Sequence, residues 1–175
     1  GDIQRIAVAG DSAGGNLAAV VARDLREHPQ RPIFQLLIYP AVDFTRSMPS
    51  HQYFKTGFFL SKQSIDWFLN SYMGRSTEWT HPRASPLLAG HHAGLPPALV
   101  LTAGFDPLRD EGRAYAEALR AAGGVAEHRC YEGLVHGFFS MTSGVHAAKV
   151  ALDESISALR AALGLIQQEG LPQVL

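Results

Sequence analysis

One cysteine, Cys130, in 175 residues leaves no partner for a disulfide within the chain, which excludes a disulfide scaffold and fits a reducing, cytoplasmic setting. No run of about 18 apolar residues could span a bilayer, and no charged-then-apolar leader is present. Basic tracts are missing too. The 15 Lys and Arg are interspersed with 16 Asp and Glu for a net charge of −1, so neither nucleic acid nor an anionic membrane is an expected partner. The eight histidines lack the His-Glu-x-x-His spacing, and the adjacent pair His91-His92 reads as a solvated loop, so no metal or cofactor is expected. What remains is 46% hydrophobic and 18% charged, the composition of one globular domain or a large part of one.

The most informative stretch is Gly10-Asp11-Ser12-Ala13-Gly14-Gly15-Asn16. Before it, Ile6-Ala7-Val8-Ala9 reads as a buried parallel strand; after it, Leu17 to Ala22 reads as a helix. A Gly-x-Ser-x-Gly between strand and helix makes a nucleophile elbow, because flanking glycines allow a turn tight enough to hold the serine in strained geometry with its hydroxyl exposed. The helix starts directly behind Ser12, so the Ala13 N–H and the positive helix end face any negative charge that develops there. Acyl transfer suits such a site. A phosphate cradle is the competing reading, but the stretch has neither the Lys-Ser/Thr ending of a P-loop nor the Gly-x-Gly-x-x-Gly spacing of a dinucleotide site.

Pro29 and Pro32 stop the first helix, and Ile33 to Tyr39 forms a second strand ending at Pro40. Asp43 follows closely enough to be a rim acid, although aspartate is also a common turn residue. Residues 44–97 exceed an ordinary crossover, and lengths of this kind usually serve function. Within 44–80, Tyr53 to Leu60 is aromatic enough to line a pocket or simply to be core. Ser61 caps a helix to about Met73 with Ile65, Phe68, Leu69 and Tyr72 on one apolar face, and the proline-rich stretch from Gly74 to Pro97 reads as loop. Ala98 to Thr102 is a third strand, leading to Asp106, which on spacing could be a helix cap or a catalytic acid. The next helix carries Ala114, Tyr115, Ala118, Leu119 and Ala122 and closes at Gly123-Gly124. Val125 to Tyr131 is a fourth, edge-type strand, followed by a loop holding His136 between glycine-containing neighbours. A last helix from about Val145 to Leu163 buries Ala148, Leu152, Ile156, Leu159 and Leu163, and the tail 165–175 carries no signal.

Strands alternating with helices predict an α/β fold with a parallel sheet, and three rim positions then carry Ser12, Asp106 and His136. Chain order Ser, acid, His is that of α/β-hydrolases. The chemistry needs these types: serine is a weak nucleophile until an imidazole takes its proton, and a carboxylate holds the imidazole in the right tautomer.

Three stretches, Gly10 to Ala18, Asp106-Pro107-Leu108-Arg109-Asp110-Glu111 and His136-Gly137-Phe138, resemble the carboxyl-terminal part of esterases of the hormone-sensitive lipase family, as do Tyr39 to Asp43 and Ala84 to Leu88. The resemblance spans nearly all of residues 1–164. It implies a carboxylic ester hydrolase of the α/β-hydrolase fold with Ser12 as nucleophile, His136 as base and Asp106 as orienting acid, and with Asp43 outside the triad; short- to medium-chain esters are the leading substrate expectation, and Ala13 is the oxyanion donor that the elbow supplies. A serine peptidase or amidase of the same fold and a non-catalytic fragment are the alternatives.

Family members also carry a His-Gly-Gly-Gly loop upstream of the elbow, and the only His-Gly here is His136-Gly137. Together with the buried-type strand at the very start, this predicts a chain truncated on its amino-terminal side, or completed by a separate polypeptide. Each oxyanion donor lost costs about 10²- to 10³-fold in turnover, so the segment by itself is expected to be weak or inactive. Pairing of two copies through the fourth-strand edge follows from the resemblance alone.

Overall fold

Four strands form the sheet of the computed structural model, which describes residues 2–165, the two central ones drawn from apolar, leucine-containing runs. They are β1 (Ala7–Asp11), β2 (Phe34–Ile38), β3 (Ala98–Phe105) and β4 (Ala126–Val135). The order is β1-β2-β3-β4 and every pair is parallel. Parallel neighbours need crossovers. These are α1 (Ala13–Asp24) between β1 and β2, and α4 (Arg109–Ala121) between β3 and β4. The long β2–β3 excursion holds α2 (Ser50–Tyr53), α3 (Lys62–Met73) and a 3₁₀ turn at Pro86–Leu88. After β4 come a 3₁₀ turn at Phe138–Met141 and α5 (His146–Ala162). Most of the 165–175 tail, residues 166–175, lies outside the described residues.

Alternation along the strands feeds two cores. Leu37 and Val100 pack with Ala18 and Ala19 of α1 and Tyr115, Ala116 and Leu119 of α4. Leu36, Ile38, Leu99 and Leu101 pack on the opposite face with Ala148 and Ala151 of α5. Helices on both faces explain why β2 and β3 are buried along almost their whole length.

Several sequence expectations shift. The Ser61 side chain does cap α3, accepting from Ser64 N at 3.1 Å. Only Ile65 and Leu69 are buried beneath it, whereas Phe68 and Tyr72 are 55% and 63% exposed. The small core under α3 is built on this i,i+4 pair with Phe44, Ala84 and Leu108, and Tyr72 meets it only edge-on, its ring 6.0 Å from that of Phe44. Along α5 the buried residues are Ala148, Ala151 and Ser155, while Ile156 is exposed. Small side chains let that helix lie close to the sheet, and Ser155 Oγ donates to Ala151 O at 2.7 Å. The helix α1 ends at Asp24, before either proline. His92 is half-buried rather than solvated, with Nε2 3.1 Å from Pro86 O and its ring beside Tyr115.

The consequential difference is β4, which continues four residues past Tyr131. Ala103 pairs with Tyr131 but Phe105 pairs with Val135, so β4 bulges over Glu132 and Gly133. Position 104 must be glycine here, since a Cβ would lie 2.1 Å from Glu132 O. The bulge puts Phe105 opposite Val135, so the next residues, Asp106 and His136, leave the sheet side by side.

Candidate active site

Ser12 stands between β1 and α1 at φ 53°, ψ −116°, a left-handed backbone that costs a residue with a Cβ about 1–3 kcal/mol. Hydrogen bonds hold it there. Ser12 N donates to Ile38 O at 2.9 Å, and the Ser12 carbonyl accepts from Ala41 N and Asn16 N, each at 3.2 Å. Two glycines make the turn feasible, and only one of them, Gly10, flanks the serine in the motif. A Cβ at Gly10 would meet Gly14 O at 2.2 Å and one at Gly15 would meet Pro40 Cβ at 2.8 Å, whereas Gly14 would meet only Asp11 Oδ1 at 3.9 Å.

His136 follows β4 directly, with Gly137 at φ 80° turning the chain into the next 3₁₀ turn. His136 Nε2 lies 2.9 Å from Ser12 Oγ, and Nδ1 lies 2.7 Å from Asp106 Oδ2. A carboxylate can only accept, so Nδ1 carries the proton and Nε2 is free to accept from the Ser12 hydroxyl. Asp106 is fully buried, and His136 is 7% exposed. The second Asp106 oxygen, Oδ1, accepts from Leu108 N at 2.8 Å, so this aspartate serves as turn acceptor and partner of His136 at once. Ala13 is the first residue of α1, where N–H groups have no partner inside the helix. Three side chains separated by up to 124 positions thus form one hydrogen-bonded chain at the carboxyl end of the sheet. An open depression of about 450 Å³, lined by Gly10, Asp11, Tyr39, Gly137 and Phe139 among others, lies beside it.

Asp43 takes no part. It is buried and accepts from Thr45 N (2.9 Å), Thr45 Oγ1 (2.5 Å) and Ser47 Oγ (2.7 Å), a turn residue's pattern. Among the described residues no three His, Cys, Asp or Glu side chains gather as metal donors.

A polar layer beneath the site has no counterpart in the sequence reading. Glu111 of α4 is fully buried; its Oε1 accepts from Val42 N at 2.7 Å and Asp43 N at 3.1 Å, and Oε2 lies 2.6 Å from His51 Nε2. Burial pushes the Glu111 carboxyl up from the usual carboxylate range, against the pull of His51 and the two amides. Ser50 Oγ donates to Pro107 O at 2.6 Å, and Ser50 N donates to Asp110 Oδ2 at 2.9 Å. Asn16 Nδ2 donates to Ala41 O and Ala84 O at 2.7 and 2.8 Å. This layer fixes the loop after β2 on which the Ser12 carbonyl rests. Acids in a helix's first turn usually face water, so Asp110-Glu111 gave no sign of burial. Glu111→Ala would orphan two backbone amides and a histidine, and is expected to cost about 3–5 kcal/mol, with Glu111→Gln costing about 1–2 kcal/mol, in urea unfolding. Equal costs would mean the carboxamide restores nothing.

The sequence model of the alpha/beta hydrolase fold matches residues 1–140. Among curated proteins, carboxylic ester hydrolase LipN of Mycobacterium tuberculosis is 46% identical over 168 residues, covering 93% of this chain and 45% of LipN. Ethyl acetate hydrolase of Pseudomonas putida is 37% identical over 161 residues, covering 91% of this chain and 51% of the enzyme. Among solved structures, the thermostable carboxylesterase EstE1 from a metagenomic library superposes with a TM-score of 0.89 at 44% identity, over 93% of this chain and 56% of that one. The hyperthermophilic esterase of Pyrobaculum calidifontis gives 0.87 at 38%, over 91% and 53%. The chain spans about half the length of the curated relatives it matches. With its elbow, its parallel sheet and residues 1–140 of 175 matched, the chain belongs to the alpha/beta hydrolase fold family, among esterases resembling hormone-sensitive lipase.

Proposed function

We propose that the full-length protein hydrolyses short- to medium-chain carboxylic esters through an acyl-serine intermediate, with Ser12 as nucleophile, His136 as general base and acid, and Asp106 as the group that orients it. The observation that carries this reading is the unbroken relay of 2.9 and 2.7 Å from Ser12 Oγ through the imidazole to Asp106. Ser12 Oγ bonds to the ester carbonyl carbon as its proton passes to His136 Nε2. The carbonyl oxygen, now negative, faces the Ala13 N–H and the amino end of α1. His136 then gives the proton to the departing alkoxide as the C–O bond breaks. Water repeats the sequence on the acyl-serine, releasing the acid and returning the proton to Ser12.

Residues 44–80 supply an apolar wall in this reading. Phe58 stacks on Phe105 at 5.3 Å, Phe54 packs edge-on against both, and the Arg109 guanidinium lies 5.0 Å over the Phe54 ring. That clamp holds Phe59 at φ 65° and 73% exposed, its ring edge against Gly137. An exposed aromatic in a left-handed backbone against Gly137, the residue after His136, suits the apolar half of an ester.

No helix among the described residues is long and apolar enough to cross a membrane. A reducing, cytoplasmic setting agrees with Cys130, a half-buried free thiol whose pKa burial raises. Among the described residues β4 is a terminal strand of the sheet, and pairing of a second copy along it belongs to this reading.

The test is turnover of matched p-nitrophenyl esters and p-nitroanilides, together with mass-spectrometric mapping of a fluorophosphonate adduct. Esters should be the faster substrates by at least about 10²-fold, because an anilide is the harder bond to break and the site shows no extra stabiliser for its nitrogen. An adduct on any residue but Ser12, or faster turnover of the anilide, would sink this reading.

A further inference from the structure

Tyr39 occupies a backbone that a tyrosine should avoid. It lies at φ 36°, in the left-handed region that favours glycine, and directly before Pro40, which drives the preceding residue toward extended geometry. Its N–H is fastened to Leu101 O at 2.6 Å. The conformation changes where the side chain goes. Along β2, Leu36 and Ile38 face α5 while Leu37 faces α1 and α4, so continued alternation would send residue 39 to the α1 side with Leu37. Instead Tyr39 joins Ile38 in the α5-side core.

There its ring, 1% exposed, meets the imidazole of His136 with centroids 4.5 Å apart and planes tilted by 55°. Phe138 at 5.1 Å and Phe139 at 6.3 Å pack edge-on against the same ring, and the phenol oxygen lies 3.4 Å from Asp11 Oδ2, next to Ser12. A glycine would hold this backbone without strain; what it would lack is the ring. Non-glycine residues in such conformations cluster where the strain serves a site.

We propose that Tyr39 is a positioning residue whose π face stabilises the imidazolium formed when His136 takes the Ser12 proton, so that Tyr39 acts on the rate through the histidine. This rests on the roles assigned above to Ser12 and His136. A cation within about 6 Å of an aromatic centroid is attracted by the ring quadrupole, more strongly when both are out of water. In the proposed mechanism the imidazole gains its charge only as it takes the Ser12 proton, so the attraction is gained in the transition state and not on binding substrate. The effect therefore falls on kcat and leaves KM alone.

Removing the ring changes packing as well as charge, so the test varies the π density at constant shape. In the full-length protein, residue 39 is replaced by phenylalanine and then by its mono-, di- and trifluorinated analogues. Tyr39→Phe is expected to stay within about threefold of the wild type, and kcat to fall stepwise along the fluorinated series, about tenfold in all, at constant KM and melting temperature. A fluorinated ring is at least as apolar as its parent, so a packing role predicts a flat series. Flat kcat with turnover still lost in Ser12→Ala overturns the role of Tyr39 alone. Turnover that survives Ser12→Ala overturns the catalytic reading beneath it.

Discussion

Ser12→Ala and His136→Ala are each expected to lower ester turnover by about 10⁴- to 10⁶-fold, and the double variant is expected to be no slower than the worse single one. The reason is geometric. In the proposed mechanism the 2.9 Å bond between Ser12 Oγ and His136 Nε2 makes one device of two side chains: the hydroxyl attacks only as its proton leaves, and the imidazole is there to take it. Removing either leaves the other without a task, so the second removal costs little. What survives is binding plus the fixed donors at the start of α1, which act on the developing oxyanion whether the attacking oxygen comes from serine or water. Losses that multiply, with the double variant's loss equal to the product of the two single losses, would mean the two act independently and the relay is incidental. Stability is the control. Alanine at position 12 meets the same left-handed backbone as serine and changes only one oxygen, so urea midpoints should stay together.

The parts of this fold readable from the chain were those that depend on local chemistry. The apolar runs of β2 and β3, Gly10 of the elbow and the Ser61 cap act within a few residues, and each appears where its sequence places it. The pairing of Asp106 with His136 was legible only as chain order. What brings them together is the β4 bulge, and Glu132-Gly133 in sequence is indistinguishable from a loop. Buried polar groups were illegible for a related reason. Glu111, His51 and Asn16 look like surface residues until their partners arrive from 60 or more positions away, as Glu111 and His51 do, or from 25 and 68 positions away, as the carbonyls bound by Asn16 do. Tyr39 gave the opposite error: it reads as the last residue of the second strand, and one left-handed φ sends it to the face that continued alternation would not give it.

Asp106→Asn is expected to cost about 10⁴-fold in kcat with little loss of stability, a combination that follows from the two jobs of one carboxylate. Oδ1 accepts from Leu108 N at 2.8 Å and Oδ2 faces His136 Nδ1 at 2.7 Å, so both neighbours are donors. Asparagine offers one oxygen and one NH₂, and one neighbour must yield. The Leu108 amide cannot give up its proton, whereas a neutral imidazole exchanges tautomers readily. The carboxamide oxygen therefore stays with Leu108, the NH₂ turns to His136, and Nδ1 becomes an acceptor. The proton moves to Nε2, which then points a hydrogen at Ser12 and can no longer take one. In the reverse orientation the relay would survive, but a buried NH₂ would face the Leu108 N–H at a cost of about 1–3 kcal/mol. Asp106→Ala separates the two, since it abolishes turnover and the turn acceptor together and should lower the urea midpoint as well. Kinetics and urea unfolding on the same two variants decide it: an asparagine variant within tenfold of wild-type kcat at unchanged stability would show that the carboxylate does not set the tautomer of His136.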